Sequence, residues 1–121
     1  MWRIQGLKSD EVVRFVAPYR SELSWAYYHL ALTDDRLLMI DSPRLAVDLG
    51  LGRFVRSWIT DWVYLRDIRT VRRDFGFWSY LIELNTRDHG TLTFRCIGIR
   101  SGRLWDLAEL LPESLRLGGM W

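Results

Sequence analysis

Apolar and polar residues alternate along much of this chain with a period of two, as they do in strands that bury one face. The alternation is clearest late in the sequence. Ile82 and Leu84 share one face of a segment, Leu92, Phe94 and Cys96 share one face of the next, and Thr91, Thr93 and Arg95 point the other way. Similar runs, rich in β-branched, aromatic and other apolar residues, predict seven strands at 12–17, 25–32, 37–40, 54–65, 68–75, 77–85 and 91–96. Turn-forming residues at 18–24, Asp34-Asp35, Asp67, Gly76 and Asp88-His89-Gly90 separate most of them. Strands that follow one another through short turns predict an antiparallel meander, because a parallel sheet needs helical crossovers and none alternate with these strands. In the middle of the chain both faces carry apolar residues: Trp58, Thr60, Trp62 and Tyr64 on one, Val55, Ile59, Val63 and Leu65 on the other.

The period changes after residue 100. Leu104, Leu107, Ala108 and Leu111 recur at helical spacing, Arg103, Asp106 and Glu109 fall off that stripe, and Pro112 supplies a stop. Ser101 is the expected N-cap, with Gly98 or Ile99 as alternative starts. Burying three leucines is worth about 5–9 kcal/mol as an upper estimate, comparable to a whole domain's stability, so the helix is expected to cap the core. The predicted fold is mainly β with one C-terminal α-helix, in a single domain spanning 1–121.

Composition narrows the function classes. Seventeen basic residues against 15 acidic ones leave a net charge of +2 in 121 residues, which removes the electrostatic footprint of a general nucleic-acid binder. The single cysteine, Cys96, cannot form an internal disulfide and alternates with Phe94 and Leu92 as a buried thiol would. The first ten residues lack the long apolar run of a signal peptide, and no stretch reaches the ~20 apolar residues of a membrane-spanning helix. A cytoplasmic location, peripheral to a membrane at most, is the expectation.

Catalytic and cofactor chemistry finds no foothold. His29, His89 and Cys96 lie on different elements, too scattered for a metal site. Gly50-Leu51-Gly52 lacks the rest of a nucleotide-binding loop, no nucleophile elbow exists, and Asp34-Asp35 reads as turn chemistry. No enzyme activity, metal or cofactor is expected. Trp58, Trp62 and Trp78 fall in predicted strands, where core or sheet-covering roles account for them.

Three strings carry a family resemblance. Leu32-Thr33-Asp34-Asp35-Arg36-Leu37-Leu38 resembles the "L-T-x-x-R-L" hairpin of GRAM domains and bacterial PH-like domains. Val63-Tyr64-Leu65-Arg66-Asp67-Ile68-Arg69-Thr70-Val71 resembles their "D-I-x-x-V" turn, and 82–87 followed by 90–94 resembles their last hairpin before the helix. The resemblance covers roughly 11–111 and implies the pleckstrin-homology superfold: a seven-stranded antiparallel barrel or sandwich, partly open and capped by the helix. It also implies a binding module rather than an enzyme. Phosphoinositide binding in such domains depends on basic residues in and beside the first hairpin loop, and here Arg20 stands alone against Glu22.

Two surfaces remain as candidates. The long connection 42–53 is unusually apolar, with Leu45, Val47, Leu49 and Leu51 between Arg44 and Arg53, and it suits either a protein partner or a membrane interface. The cluster Arg66, Arg69, Arg72 and Arg73 is a candidate anion contact, although Asp67 and Asp74 interleave it and alternation sends Arg72 and Arg73 to opposite faces. Near-balanced charge favours a protein partner or self-association, through exposed aromatics or an open sheet edge, over a lipid headgroup.

Overall fold

The structure is a computed structural model, and it describes residues 3–20, 27–41, 56–98 and 101–116. Among these residues eight strands, β1 (Arg3–Gln5), β2 (Phe15–Arg20), β3 (Tyr27–Leu32), β4 (Arg36–Asp41), β5 (Arg56–Tyr64), β6 (Ile68–Gly76), β7 (Ser79–Thr86) and β8 (Thr91–Ile97), precede one helix, α1 (Ser101–Glu109). They form one sheet in the order β1-β5-β4-β3-β2-β8-β7-β6. Strands β2 to β8 pair antiparallel wherever they touch, whereas β1 pairs with β5 in parallel. The mainly β fold with a late helix is as the sequence predicts, but the seven-stranded antiparallel barrel is corrected to an eight-stranded mixed sheet that does not close. Strand β1 escaped the pattern because three residues cannot establish a period, and its partner lies half a chain away.

The sheet is weakest at its centre, where β2 meets β8 only at Arg20↔Arg95. Pro18, with no N–H to give, sits in the part of β2 that β8 leaves unpaired. Between the two halves lies the main core. Ala17, Leu30, Leu37, Met39 and Val63 come from one half, and Ile68, Val71, Ile82, Leu84, Phe94 and Cys96 from the other. Helix α1 fills the remaining space with Leu104, Leu107 and Ala108, and Leu111 follows just beyond its end. All four residues of the expected stripe are buried. The described part of the helix begins at Ser101, whose Oγ donates to Gly98 O at 2.6 Å. Arg103 ties the helix to the sheet by donating from Nε to Val16 O at 2.9 Å, with its guanidinium 4.3 Å from the Phe15 ring centroid.

A second, smaller core lies on the opposite face of the β2–β5 half, where Val16, Ala31, Leu38 and Ile40 are packed against Ile4, Leu7, Val13 and Ile59. A β-bulge explains how β5 serves both cores. Met39 is opposite Asp61 but Ile40 is opposite Ile59, so Thr60 is the extra residue, and its Oγ1 donates to Met39 O at 3.1 Å. Residues four apart in a regular strand share a face; across this bulge Ile59 joins the outer core and Val63 the inner one. The mixed apolar pattern in this strand is therefore a real change of phase. Residues 3–14 run across the outer core as a strap, which is why the strand expected at 12–17 begins only at Phe15.

Candidate interaction surface

The strap is fastened at the β3–β4 hairpin by a buried ion pair. Arg36 and Glu11 have side chains only 5% and 4% exposed, and the guanidinium meets the carboxylate through both Nη2 and Nε, the latter at 2.9 Å. Thr33 Oγ1 donates to Glu11 Oε2 at 2.8 Å while accepting from the backbone N–H groups of Asp35 and Arg36. Arg36 also donates to Gly6 O. These bonds to Arg36, Thr33 and the Lys8 backbone hold the Glu11 carboxyl down at about 2, against the opposing effect of burial. Lys8–Asp35 at 2.8 Å and the two-bond Arg14–Asp34 contact add an exposed rim. The threonine and arginine of the "L-T-x-x-R-L" string are thus occupied in closing the turn and holding the strap.

The predicted site residues divide sharply. Arg44, Leu45, Val47, Leu49, Leu51 and Arg53 lie outside the described residues. The arginine cluster is described, and it is dispersed. Arg66 is exposed with its guanidinium 4.4 Å from the Tyr64 ring centroid, and Arg69 is exposed on β6. Arg72 pairs with Glu83 at 3.1 Å and with Asp74 at 3.9 Å. On the opposite face Arg73 is buried, 2.7 Å from Glu109 and stacked 3.8 Å from the Trp105 ring centroid, so it docks α1 against β6. Two of the four cations are matched to carboxylates, and they do not converge on a common point.

What the sequence reading placed in a strand is the most exposed apolar feature among the described residues. Strands β6 and β7 are joined by the two-residue loop Phe77-Trp78, closed by Gly76↔Ser79. Phe77 is 96% exposed and Trp78 71%. Their rings stack at 6.2 Å with 14° between planes. Trp78 has φ of 56°, a left-handed conformation that costs a bulky residue about 1–2 kcal/mol. One rung below the loop-closing pair, Phe75 and Tyr80 form an aromatic cluster with Trp105, with centroids 5.0–6.4 Å apart, and Ile97 is exposed opposite Ser79. The expected covering role of Trp78 is corrected, and Trp58 and Trp62 are also 42% exposed. The missed signal was local: Phe75, Phe77 and Trp78 flank and follow a glycine, and adjacent aromatics break the period-two pattern.

Among the described residues, two stretches of sheet edge, on β5 and β6, are guarded. Beyond Trp58, β5 has no outer neighbour among the described residues, and there Trp62 N–H donates to Asp61 Oδ1 at 2.8 Å. On edge strand β6, Phe75 N–H donates to Asp74 Oδ1 at 2.8 Å. Each aspartate occupies an N–H that an added strand would need.

Among the described residues, no helix is long and apolar enough to cross a membrane, and no group of three or more histidine, cysteine or acidic side chains could hold a metal ion. Comparison with family models, curated proteins and solved structures gives no match in any of the three, so geometry alone carries the functional reading.

Proposed function

We propose that this chain is a non-catalytic, PH-like binding module that makes protein contacts, including contacts with a second copy of itself, through the aromatic β6–β7 hairpin. The observation that carries this is the Phe77-Trp78 tip: two stacked aromatic side chains held in solvent by a backbone that tryptophan disfavours. A folded chain gains nothing from that arrangement, whereas a partner pocket does. The PH-like part of the reading is supported by the seven strands β2 to β8, antiparallel wherever they pair, ahead of the core-filling helix α1 among the described residues, and by the turn roles of all three resemblance strings.

Magnitude sets the strength of such a contact. Two aromatic side chains bury roughly 300–500 Å², worth roughly 8–12 kcal/mol gross. Association costs of about 4–15 kcal/mol leave a weak, concentration-dependent complex. Sedimentation of the purified chain is therefore expected to show mass rising with concentration, lost in the double substitution Phe77→Ser, Trp78→Gly, with no pelleting by zwitterionic or anionic vesicles. A monomer at every concentration overturns self-association. Vesicle pelleting abolished by the same substitutions replaces it with the peripheral-membrane reading, which rests on the affinity of tryptophan for the lipid interface.

A further inference from the structure

The segment from Arg3 to Arg14 is held on the outer face as a ligand is held. Its strand β1 pairs with β5 over three residues only, and in the parallel arrangement, which is slightly the weaker per residue. Ile4, Leu7 and Val13 lie partly buried over the small outer core. Gly6 sits flush on Ile59: its φ is +102°, and a Cβ there would stand 3.3 Å from Ile59 Cδ1. Glu11 then delivers the carboxylate to buried Arg36. Beneath the segment is a complete recognition surface: a strand edge at 56–58, an apolar face, a position of close backbone approach, and a guanidinium that needs an anion.

We propose that this surface is an acceptor site for an extended peptide, and that the occupant it takes in trans is residues 3–11 of a second copy, exchanged by rotation about the exposed Val12. The occupant follows from the fit. Glycine two positions after the apolar residue on the ladder and glutamate five further on, as in Ile4, Gly6 and Glu11, are demands that this chain's own segment meets. Exchange reproduces every contact, so only the loss of effective concentration opposes it.

The test uses the full chain carrying Gly6→Ala, which weakens its own strap while leaving Arg36 and the β5 edge intact. Anisotropy of a labelled synthetic peptide with the natural sequence of residues 3–14 is expected to show saturable one-to-one binding, at least tenfold tighter than to the wild-type chain, whose own segment competes. The same peptide with Gly6→Ala or Glu11→Gln is expected to bind at least tenfold more weakly. Should the Gly6→Ala chain fail to fold, the Glu11→Gln chain serves as receptor. Equal binding to both chains, binding by neither, or undiminished binding of the altered peptides overturns the proposal. Adding Phe77→Ser and Trp78→Gly to the receptor is expected to leave the signal unchanged; a signal lost with them belongs to the hairpin tip and also overturns it.

Discussion

Two hairpins of this sheet turn tightly and are built on opposite principles. The β3–β4 turn, Asp34-Asp35, stays out of the left-handed region, and the hydroxyl of Thr33 takes two of its backbone N–H groups. Both aspartates meet cations, and Arg36 beneath them is sealed against Glu11. The β6–β7 turn, Phe77-Trp78, puts a tryptophan at φ of 56° and two aromatic side chains in water. In the first hairpin local chemistry and global stability agree. In the second they conflict, and conflicts of that kind concentrate where a surface serves something outside the fold.

The largest test of this contrast is Arg36→Ala. It strands the Glu11 carboxylate in a buried site, so chemical denaturation is expected to show a loss of about 3–5 kcal/mol. A loss within ordinary surface effects would mean that the hairpin is not the fastening described above.

Acid supplies a graded version of the same test. Because the folded-state pKa of Glu11 lies below its ordinary value, the pair contributes stability that is complete above about 4.5 and disappears as pH falls towards about 2. Melting temperatures followed through that window are expected to fall more steeply for the wild type than for Glu11→Gln, Arg36→Met. Parallel curves would assign the acid sensitivity to other carboxylates.

The smallest effect is expected with the opposite sign. Trp78→Gly relieves the left-handed backbone at some cost in unfolded-state entropy, so it should stabilise the chain by roughly 0.5–1 kcal/mol and raise the melting temperature by a few degrees. A lower melting temperature would show that the tip contributes to the fold and would erase the contrast between the hairpins.

The same contrast marks what was legible in the sequence. Leu104, Leu107, Ala108 and Leu111 announce their burial because helical spacing is a local property, and alternation likewise reveals 82–84 and 92–96. Pairing at long range is not local. Nothing in Ile4 predicts that it lies beside β5, and nothing in Glu11 names Arg36 as its partner, since both contacts exist only after the sheet has formed. The bulge at Thr60 was visible only as an ambiguous pattern in β5, because an extra residue inverts the period without leaving a distinctive side chain. At the aromatic tip, a run that suits a strand by propensity turns because Gly76 and Ser79 close it.

The strap also imposes an order of events on synthesis. Its residues leave the ribosome before their partners do: the strand they pair with is complete only after residue 64 has been made, and Arg36 arrives in between. During that interval Ile4, Leu7 and Val13 have no face to cover, and the N-terminal segment is available to any other surface offering the same chemistry. Closing a loop of nearly half the chain puts β1 at an entropic disadvantage, with only three residues of ladder to offset it. Residues made before their partners are thus secured only later, and a nascent chain crowded beside its neighbours has more opportunity to fasten onto another copy than the finished protein ever does.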